Sequence, residues 1–209
     1  MNKSYSTILR ILTIIMCLCA TDIYAANDAT KLLDQSAAKI KGAKSISATY
    51  TLHSGGNDIK GSILLAGNKF TTTNNAMTTW YDGTTQWTYA PSTGEVNIIE
   101  PTDEELAATN PLAILSGLRK QYTSSVIKSS PGFRTILLKA ISKNNDWPQI
   151  TITLKSSTLL PTAINIKGRD GSETRISIPT LQIRNTPVSD NTFRFDRKKY
   201  PKAKIVDLR

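Results

Sequence analysis

An alternation of apolar and polar residues with a period of two constrains the fold of this chain more than any other feature. It begins at Ser45, and turn residues such as glycine, asparagine and proline interrupt it. Successive side chains of a β-strand point to opposite faces of a sheet, so this period predicts strands with one buried face. Their number and short turns predict antiparallel strands in one large curled sheet or barrel. The predicted strands are ISATYTLH, IKGSILLAG, NKFTTT, MTTWY, QWTYAP, EVNIIEP, VIKSS, FRTILLKA, QITITLK, TAINIKG and TRISIPTLQI.

Two stretches of the chain break this alternation. From Asn27 to Lys41, apolar residues recur at helical spacing, which predicts an amphipathic helix. Residues 101–118, PTDEELAATNPLAILSGL, predict two short helical pieces, the first of them capped by Thr102 and Glu105. Each stretch presents an apolar stripe, so we expect both to cover the apolar face of the sheet.

Residues 1–25 have the pattern of a cleaved signal peptide. A positively charged start precedes a short apolar run, ILTIIMCLCA. This run falls short of the ~20 residues of a spanning helix, which disfavours a retained membrane anchor. Cleavage near Ala25 leaves residues 26–209 as a single exported domain. Cys17 and Cys19 both lie in the signal peptide, so the exported chain is expected to have no disulfide and no thiol nucleophile.

The charge and the residue types limit the classes of function. The formal net charge is +10, which favours acidic partners or anionic lipid headgroups. A nucleic-acid interface is not predicted, because the aromatic residues are interleaved with threonine and glutamine rather than arginine. His53 is the single histidine, and no G-x-S-x-G, H-E-x-x-H or P-loop pattern occurs. We therefore expect no enzyme, no cofactor and no metal centre.

An aromatic stretch, WYDGTTQWTYAPSTGEVNIIEP, occupies residues 80–101. Within it, Asp82-Gly83 predicts a tight turn, since both residues tolerate a positive φ. Trp87 and Tyr89 share one face of their predicted strand, and Val96 and Ile98 share one face of the next. These side chains either fill an ordinary core or line a hollow that lipid tails occupy. Each methylene of an acyl chain buried in such a hollow would contribute about 0.8 kcal/mol. The alternation alone is compatible with both.

The segment DGTTQWTYAP resembles the signature of the LolA family of periplasmic lipoprotein carriers, through Asp82, Gly83, Trp87, Tyr89 and Pro91. The leucine-rich PLAILSGL, the hairpin STLLPTAINI and the closing segment PVSDNTFRFDRKKYPKAKIVDLR are also similar to this family. Together these motifs span the chain after the signal peptide. The well-studied members carry an arginine on the strand after the first hairpin. The corresponding stretch here, LLAGNKF, has none, and Lys69 is its nearest cation.

The resemblance implies an α+β fold, an unclosed antiparallel β-barrel with helices over its concave apolar face. It implies a monomeric periplasmic carrier that shields the acyl chains of lipid-modified proteins. Such a carrier receives its cargo from an inner-membrane ABC transporter and releases it to an outer-membrane acceptor. The alternative is a sensor or regulatory binding protein of the same fold, which detects lipids or lipoproteins without onward transfer.

The alternation and the resemblance together give a set of candidate acyl-binding residues. Five of them are predicted to form the wall of the apolar cavity, and two are predicted to lie in its lid. The predicted wall residues are Leu64, Phe70, Trp87, Tyr89 and Ile98, and the predicted lid residues are Leu112 and Leu115.

Overall fold

The computed structural model describes residues 20–102, 105–106 and 121–209, with side chains described from Asp28 onward. Every strand predicted from the alternation is present, and one further strand follows near the C-terminus. The helix is α1, Ala20–Lys41, and the strands are β1 Ser45–Ser54, β2 Asn57–Ala66, β3 Lys69–Asn74, β4 Thr78–Tyr81, β5 Gln86–Ala90, β6 Glu95–Ile99, β7 Tyr122–Ser130, β8 Phe133–Ala140, β9 Gln149–Lys155, β10 Pro161–Lys167, β11 Glu173–Arg184 and β12 Lys204–Asp207.

All twelve strands form one sheet, in the order β12-β6-β5-β4-β3-β2-β1-β11-β10-β9-β8-β7. Neighbouring strands are antiparallel except for β12, which pairs parallel with β6. β7 and β12 are the two edges of the sheet and do not pair with each other, so the sheet is unclosed. The predicted architecture, an unclosed and mostly antiparallel sheet with a helical cover, is confirmed.

The face that packs against α1, called the inner face, holds the main core. α1 lies over β7, where the Thr30 and Ser124 hydroxyls are 2.9 Å apart. Apolar side chains of α1 pack against this core, and burying each large one contributes about 1.5–3 kcal/mol. The buried sheet residues of this face are Ile46, Ala48, Ile63, Leu65, Phe70, Tyr81, Tyr122, Ile136, Leu138, Ile150, Ile152, Leu154, Ile164, Ile166, Ile176 and Ile178.

The helix begins earlier than the sequence pattern predicted. Its first residue is Ala20 rather than Asn27, because ATDIYAA contains no glycine or proline to end a helix before that point. Its end agrees with the prediction. The helix ends at Lys41, and the Gly42 N–H donates to the Ala38 carbonyl oxygen at 2.8 Å.

A β-bulge between β1 and β11 keeps the apolar residues of β11 on the inner face. The register shifts between Thr49 and Thr51, opposite Pro179, which has no N–H to donate to the ladder. Ile178, before this proline, lies on the inner face, and so does Leu181 beyond it, although their spacing is odd. The bulge absorbs the extra residue.

The opposite face, called the outer face, has a second and smaller core under residues 185–203, which we call the C-terminal strap. The ring centroids of Trp80 and Tyr89 lie 5.6 and 4.6 Å from that of Tyr200, and Phe195 stacks on Tyr200 at 5.4 Å. Val96 beneath the strap is fully buried. The strap leads into β12, so the closing segment of the chain completes the sheet.

Polar contacts fasten the strap to the turn that the sequence predicted at Asp82-Gly83. Gly83 has a φ of 105°, and Asp82 Oδ1 accepts the N–H groups of Thr84 and Thr85 at 3.1 and 3.0 Å. The other oxygen of Asp82 pairs with Arg194 of the strap at 3.0 Å. The turn is confirmed, and its aspartate also holds the C-terminal segment.

Candidate functional site

The strand register decides which face each predicted wall residue occupies. Phe70 pairs with Tyr81, whose ring lies 5.4 Å away, and both belong to the inner-face core. Trp87 and Ile98 pair with each other and lie on the outer face, next to Trp80. Tyr89 and Leu64 are also on the outer face: Tyr89 contacts the strap, and Leu64 lines a hydroxyl-rich outer groove of about 370 Å³.

The predicted lid residues Leu112 and Leu115 lie outside the described residues. The prediction of a single buried face is wrong for β4–β6, where side chains on both faces are buried. There the outer face carries Trp80 and Val96, while the inner face carries threonine and glutamine beside its aromatic pair. The acyl-contact roles of the predicted residues stay predictions. Of the five predicted wall residues, Phe70 is the one that lies on the inner face.

The inner face changes character from one side of the sheet to the other. From β7 to β11 it is apolar and tightly packed beside α1, with Ile136, Ile150 and Leu154 fully buried. On β3, β4 and β5 three threonines pair in register, Thr72 with Thr79 and Thr79 with Thr88. We call these threonines and Gln86 the polar row. It borders the aromatic pair Phe70–Tyr81, so an apolar surface ends at a line of hydrogen-bonding groups.

Gln86 leaves a buried polar atom without a partner in this row. Its side chain is 7% exposed, and its Nε2 lies 3.5 Å from the Thr88 hydroxyl. The Gln86 carbonyl oxygen Oε1 is buried and has no hydrogen-bond partner among the described residues. A buried unpaired polar group costs about 1–3 kcal/mol, so this amide is a candidate contact for the polar group of a ligand.

Tyr50 lies over the centre of the inner face because Gly61 has no side chain. The two residues pair directly, and a Cβ added at Gly61 would lie 2.5 Å from the Tyr50 ring. The ring extends across β2, and its hydroxyl reaches Thr72 Oγ1 at 3.1 Å. Tyr50 therefore joins the apolar side of the inner face to the polar row.

The chain enters the predicted helical insertion through the capping box that the sequence predicted. The Thr102 N–H donates to Glu105 Oε2 at 2.8 Å, and the Glu105 N–H donates to Thr102 Oγ1 at 3.3 Å. Leu106, on the next position, packs against the inner-face core. The insertion thus starts at the same face that α1 covers.

Lys69, the nearest cation to the family's arginine position, is tied to the opposite face. Its ammonium group lies 2.7 Å from Asp190 Oδ1 of the strap. The hydrogen bond and the positive charge of Lys69 lower the pKa of the Asp190 carboxyl. Lys69 thus holds the C-terminal strap, on the side of the sheet away from the polar row.

Side chains suited to metal binding are not clustered in the described part of the chain. Among these residues no three histidine, cysteine or acidic side chains are close enough to hold a metal ion. His53 pairs with Asp58 on an exposed hairpin. Burial raises the pKa of the Tyr122 hydroxyl, which donates to the Trp147 carbonyl oxygen at 2.8 Å and fixes the β8–β9 turn. No described helix combines the length and the apolar character needed to cross a bilayer.

Residues 19–172 match the family model described as outer membrane lipoprotein carrier protein LolA. The chain belongs to this LolA family. No curated protein has significant similarity to it in sequence. Its membership agrees with the sequence motifs, which point to the same family, and with the unclosed sheet and its helical cover. LolA-family folds serve binding and carrying, and none of the residue clusters described above suggests catalysis.

Several solved structures are similar to this chain at low sequence identity. An uncharacterized conserved protein from Thermus thermophilus has a TM-score of 0.57 and 10% identity, with 85% of this chain and 98% of that chain covered. MucB of Pseudomonas aeruginosa, in its complex with MucA, has a TM-score of 0.47 and 14% identity, with 82% of this chain and 62% of that chain covered. The Mycobacterium tuberculosis lipoprotein LppX has a TM-score of 0.45 and 12% identity, with 77% of this chain and 98% of that chain covered. At 10% identity, the similarity to the Thermus thermophilus protein indicates the fold and not the function.

Proposed function

We propose that this protein is a periplasmic carrier that shields the acyl chains of lipid-modified proteins against its inner face. The observation that carries the proposal is the border between the apolar inner face and the polar row with its unpaired Gln86 oxygen. An acylated ligand has the matching chemistry, since a hydrocarbon chain is joined to ester and amide groups. The hydrocarbon chain of the ligand would lie along Phe70 and Tyr81, and its ester or amide end would contact Gln86.

Burial of the acyl chain would be the main source of binding energy for such a carrier. Ten methylene groups taken out of water would contribute on the order of 8 kcal/mol, before the entropic costs of association are subtracted. A carrier must also release its cargo. The segments that cover the inner face must therefore move aside when the acyl chain binds and return when it leaves. α1 and the insertion that begins at Thr102 are the two segments that can provide this cover.

Export, cargo and partners complete the proposal. The signal-peptide pattern of residues 1–25 would send the protein to the periplasm, and the basic composition suits an envelope rich in anionic groups. Family membership supports delivery from an inner-membrane ABC transporter to an outer-membrane acceptor, with the carrier acting as a monomer. The absence of an arginine in LLAGNKF sets its cover apart from that of the well-studied members.

The test is binding and transfer of a diacylated lipopeptide by the purified mature protein. The carrier account predicts saturable binding in a one-to-one complex, measured by native mass spectrometry. It also predicts that the loaded protein releases the lipopeptide to acceptor vesicles faster than the lipopeptide leaves a detergent micelle. Binding without release would support the sensor alternative, and no binding at all would contradict both.

Replacing Gln86 by leucine is expected to separate stability from binding. The substitution removes the unpaired amide, so the free energy of unfolding without ligand should stay equal or rise by about 1 kcal/mol. Affinity for the diacylated lipopeptide should fall roughly tenfold, by the loss of one buried hydrogen bond. Affinity for a plain hydrocarbon probe should not change.

The matched control is Gln182→Leu, the same change at an exposed outer-face position. It should leave both affinities at their original values. If Gln86→Leu and Gln182→Leu bind the lipopeptide equally well, the polar row is not where the polar end of the ligand lies.

A further inference from the structure

One end of the sheet, on the side of β7–β10, carries cations that form no ion pair with a carboxylate among the described residues. At this end the β7–β8 and β9–β10 hairpins turn and α1 finishes. We call it the basic end and define it by six cations: Lys39, Lys41, Lys44, Lys128, Arg134 and Lys155. None of the six has an ion pair with a described carboxylate. Asp146 is the sole acidic residue between 121 and 167, and it pairs with Arg169 in a turn at the opposite end.

Contacts between the hairpins and α1 hold this end together. Phe133 and Lys155 pair across β8 and β9, and Arg134 Nη1 donates to the Ser156 hydroxyl at 3.3 Å. The Lys39 ammonium group donates to the Thr158 carbonyl oxygen at 2.8 Å. The positive charges are therefore presented by three neighbouring segments of a fixed framework rather than by a loose tail.

Two large apolar side chains stand among these cations. Ile127 is 53% exposed and Phe133 is 41% exposed, both on the β7–β8 hairpin. Ile127 occupies the bulge between Val126 and Lys128, where the register of β7 against β8 shifts. Exposed isoleucine and phenylalanine beside lysine and arginine are the combination that enters the headgroup layer of a bilayer, with the cations at the phosphates.

We propose that the basic end docks on the surface of a membrane containing anionic phospholipid. This goes beyond the proposed function, which concerns the inner face and requires no contact with lipid headgroups. Long flexible lysines and two apolar residues on a hairpin fit a fluid surface of many equivalent phosphates better than a shaped protein surface. The charge complementarity identifies the occupant: each cation near such a surface strengthens binding about fivefold at moderate salt.

The experiment is cosedimentation of the mature protein with phosphatidylcholine vesicles, with and without phosphatidylglycerol. The original protein should bind the phosphatidylglycerol vesicles, lose affinity as salt is raised, and leave pure phosphatidylcholine vesicles unbound. The double variant Lys128→Gln/Lys155→Gln should bind about 25-fold more weakly, from two cations. Phe133→Ser should weaken binding while leaving the salt dependence unchanged.

The control is Lys139→Gln/Lys143→Gln, which removes the same charge at the other end of the sheet. This variant should keep most of the affinity for phosphatidylglycerol vesicles. Equal losses in the two double variants, or no binding by the original protein, would overturn the proposal, and pairing with an acidic protein instead of vesicles would do the same. Lipopeptide binding is measured separately: if it fails while vesicle binding holds, the carrier function fails and this inference stands.

Discussion

Replacing Trp80 by alanine is expected to lower the free energy of unfolding by about 3–5 kcal/mol, the usual cost of removing a buried tryptophan. Trp80 is 8% exposed, and its ring meets Phe195 and Tyr200 of the C-terminal strap at centroid distances of 5.7 and 5.6 Å. Its loss would leave a cavity under the strap. Thermal unfolding should show it, since each kcal/mol lowers the Tm by about 2–4 °C in a domain of this size.

Lipopeptide affinity shows whether Trp80 only packs under the C-terminal strap or also contacts the ligand. Measured below the transition, the folded Trp80→Ala protein should bind the lipopeptide with unchanged affinity, because its cavity opens on the outer face. Trp87→Ala serves as the comparison, since Trp87 is the half-buried neighbour of Trp80 on that face. It should cost less stability and also leave affinity intact. A selective loss of affinity in either variant would show that the outer face takes part in acyl binding.

Replacing Gly61 by alanine should cost about 1–3 kcal/mol, the range for overpacking a close-packed site. The added Cβ would lie 2.5 Å from the Tyr50 ring and 2.7 Å from the Thr73 carbonyl oxygen. The Thr73 carbonyl belongs to the backbone and cannot shift at low cost. The Tyr50 ring must move as well, because the added Cβ would overlap it. The ring would then lose its hydrogen bond to Thr72 and occupy space on the inner face that the acyl chain needs. Lipopeptide affinity should therefore fall as well.

A double-mutant cycle with Tyr50→Ala checks this explanation by chemical denaturation. If the ring clash dominates, Gly61→Ala should cost less in the Tyr50→Ala background, with a coupling energy above about 0.5 kcal/mol. Additive effects would mean that the Thr73 carbonyl alone determines the cost. An unchanged stability for Gly61→Ala would contradict the packing described at the centre of the sheet.

The sequence predicted the strands well because a period of two is a local property. The turn at Asp82-Gly83 and the capping box of Thr102 and Glu105 were equally predictable, since each depends on residues within four positions. β12 was missed. KIVD is short, and it is a strand because β6, about a hundred residues earlier, offers a parallel partner. Nothing near KIVD in the sequence signals that partner.

The face of each wall residue could not be predicted for a related physical reason. Alternation correctly placed Trp87 and Tyr89 on a common face, but both faces of β4–β6 carry aromatic side chains. Which face becomes the outer one depends on Phe195 and Tyr200, which lie over a hundred residues later and provide its cover. The signal that could have revealed this is the closing FRFDRKKY, whose aromatic residues need apolar partners of their own.

Site-resolved crosslinking of a photoactivatable acyl chain tests the central claim most directly. The claim is that hydrocarbon binds to the inner face. After irradiation of the loaded protein, mass spectrometry should find adducts on Tyr50, Phe70, Tyr81 and Leu106. Adducts confined to Leu64, Trp87, Tyr89 and Ile98 would place the hydrocarbon on the outer face and contradict the account.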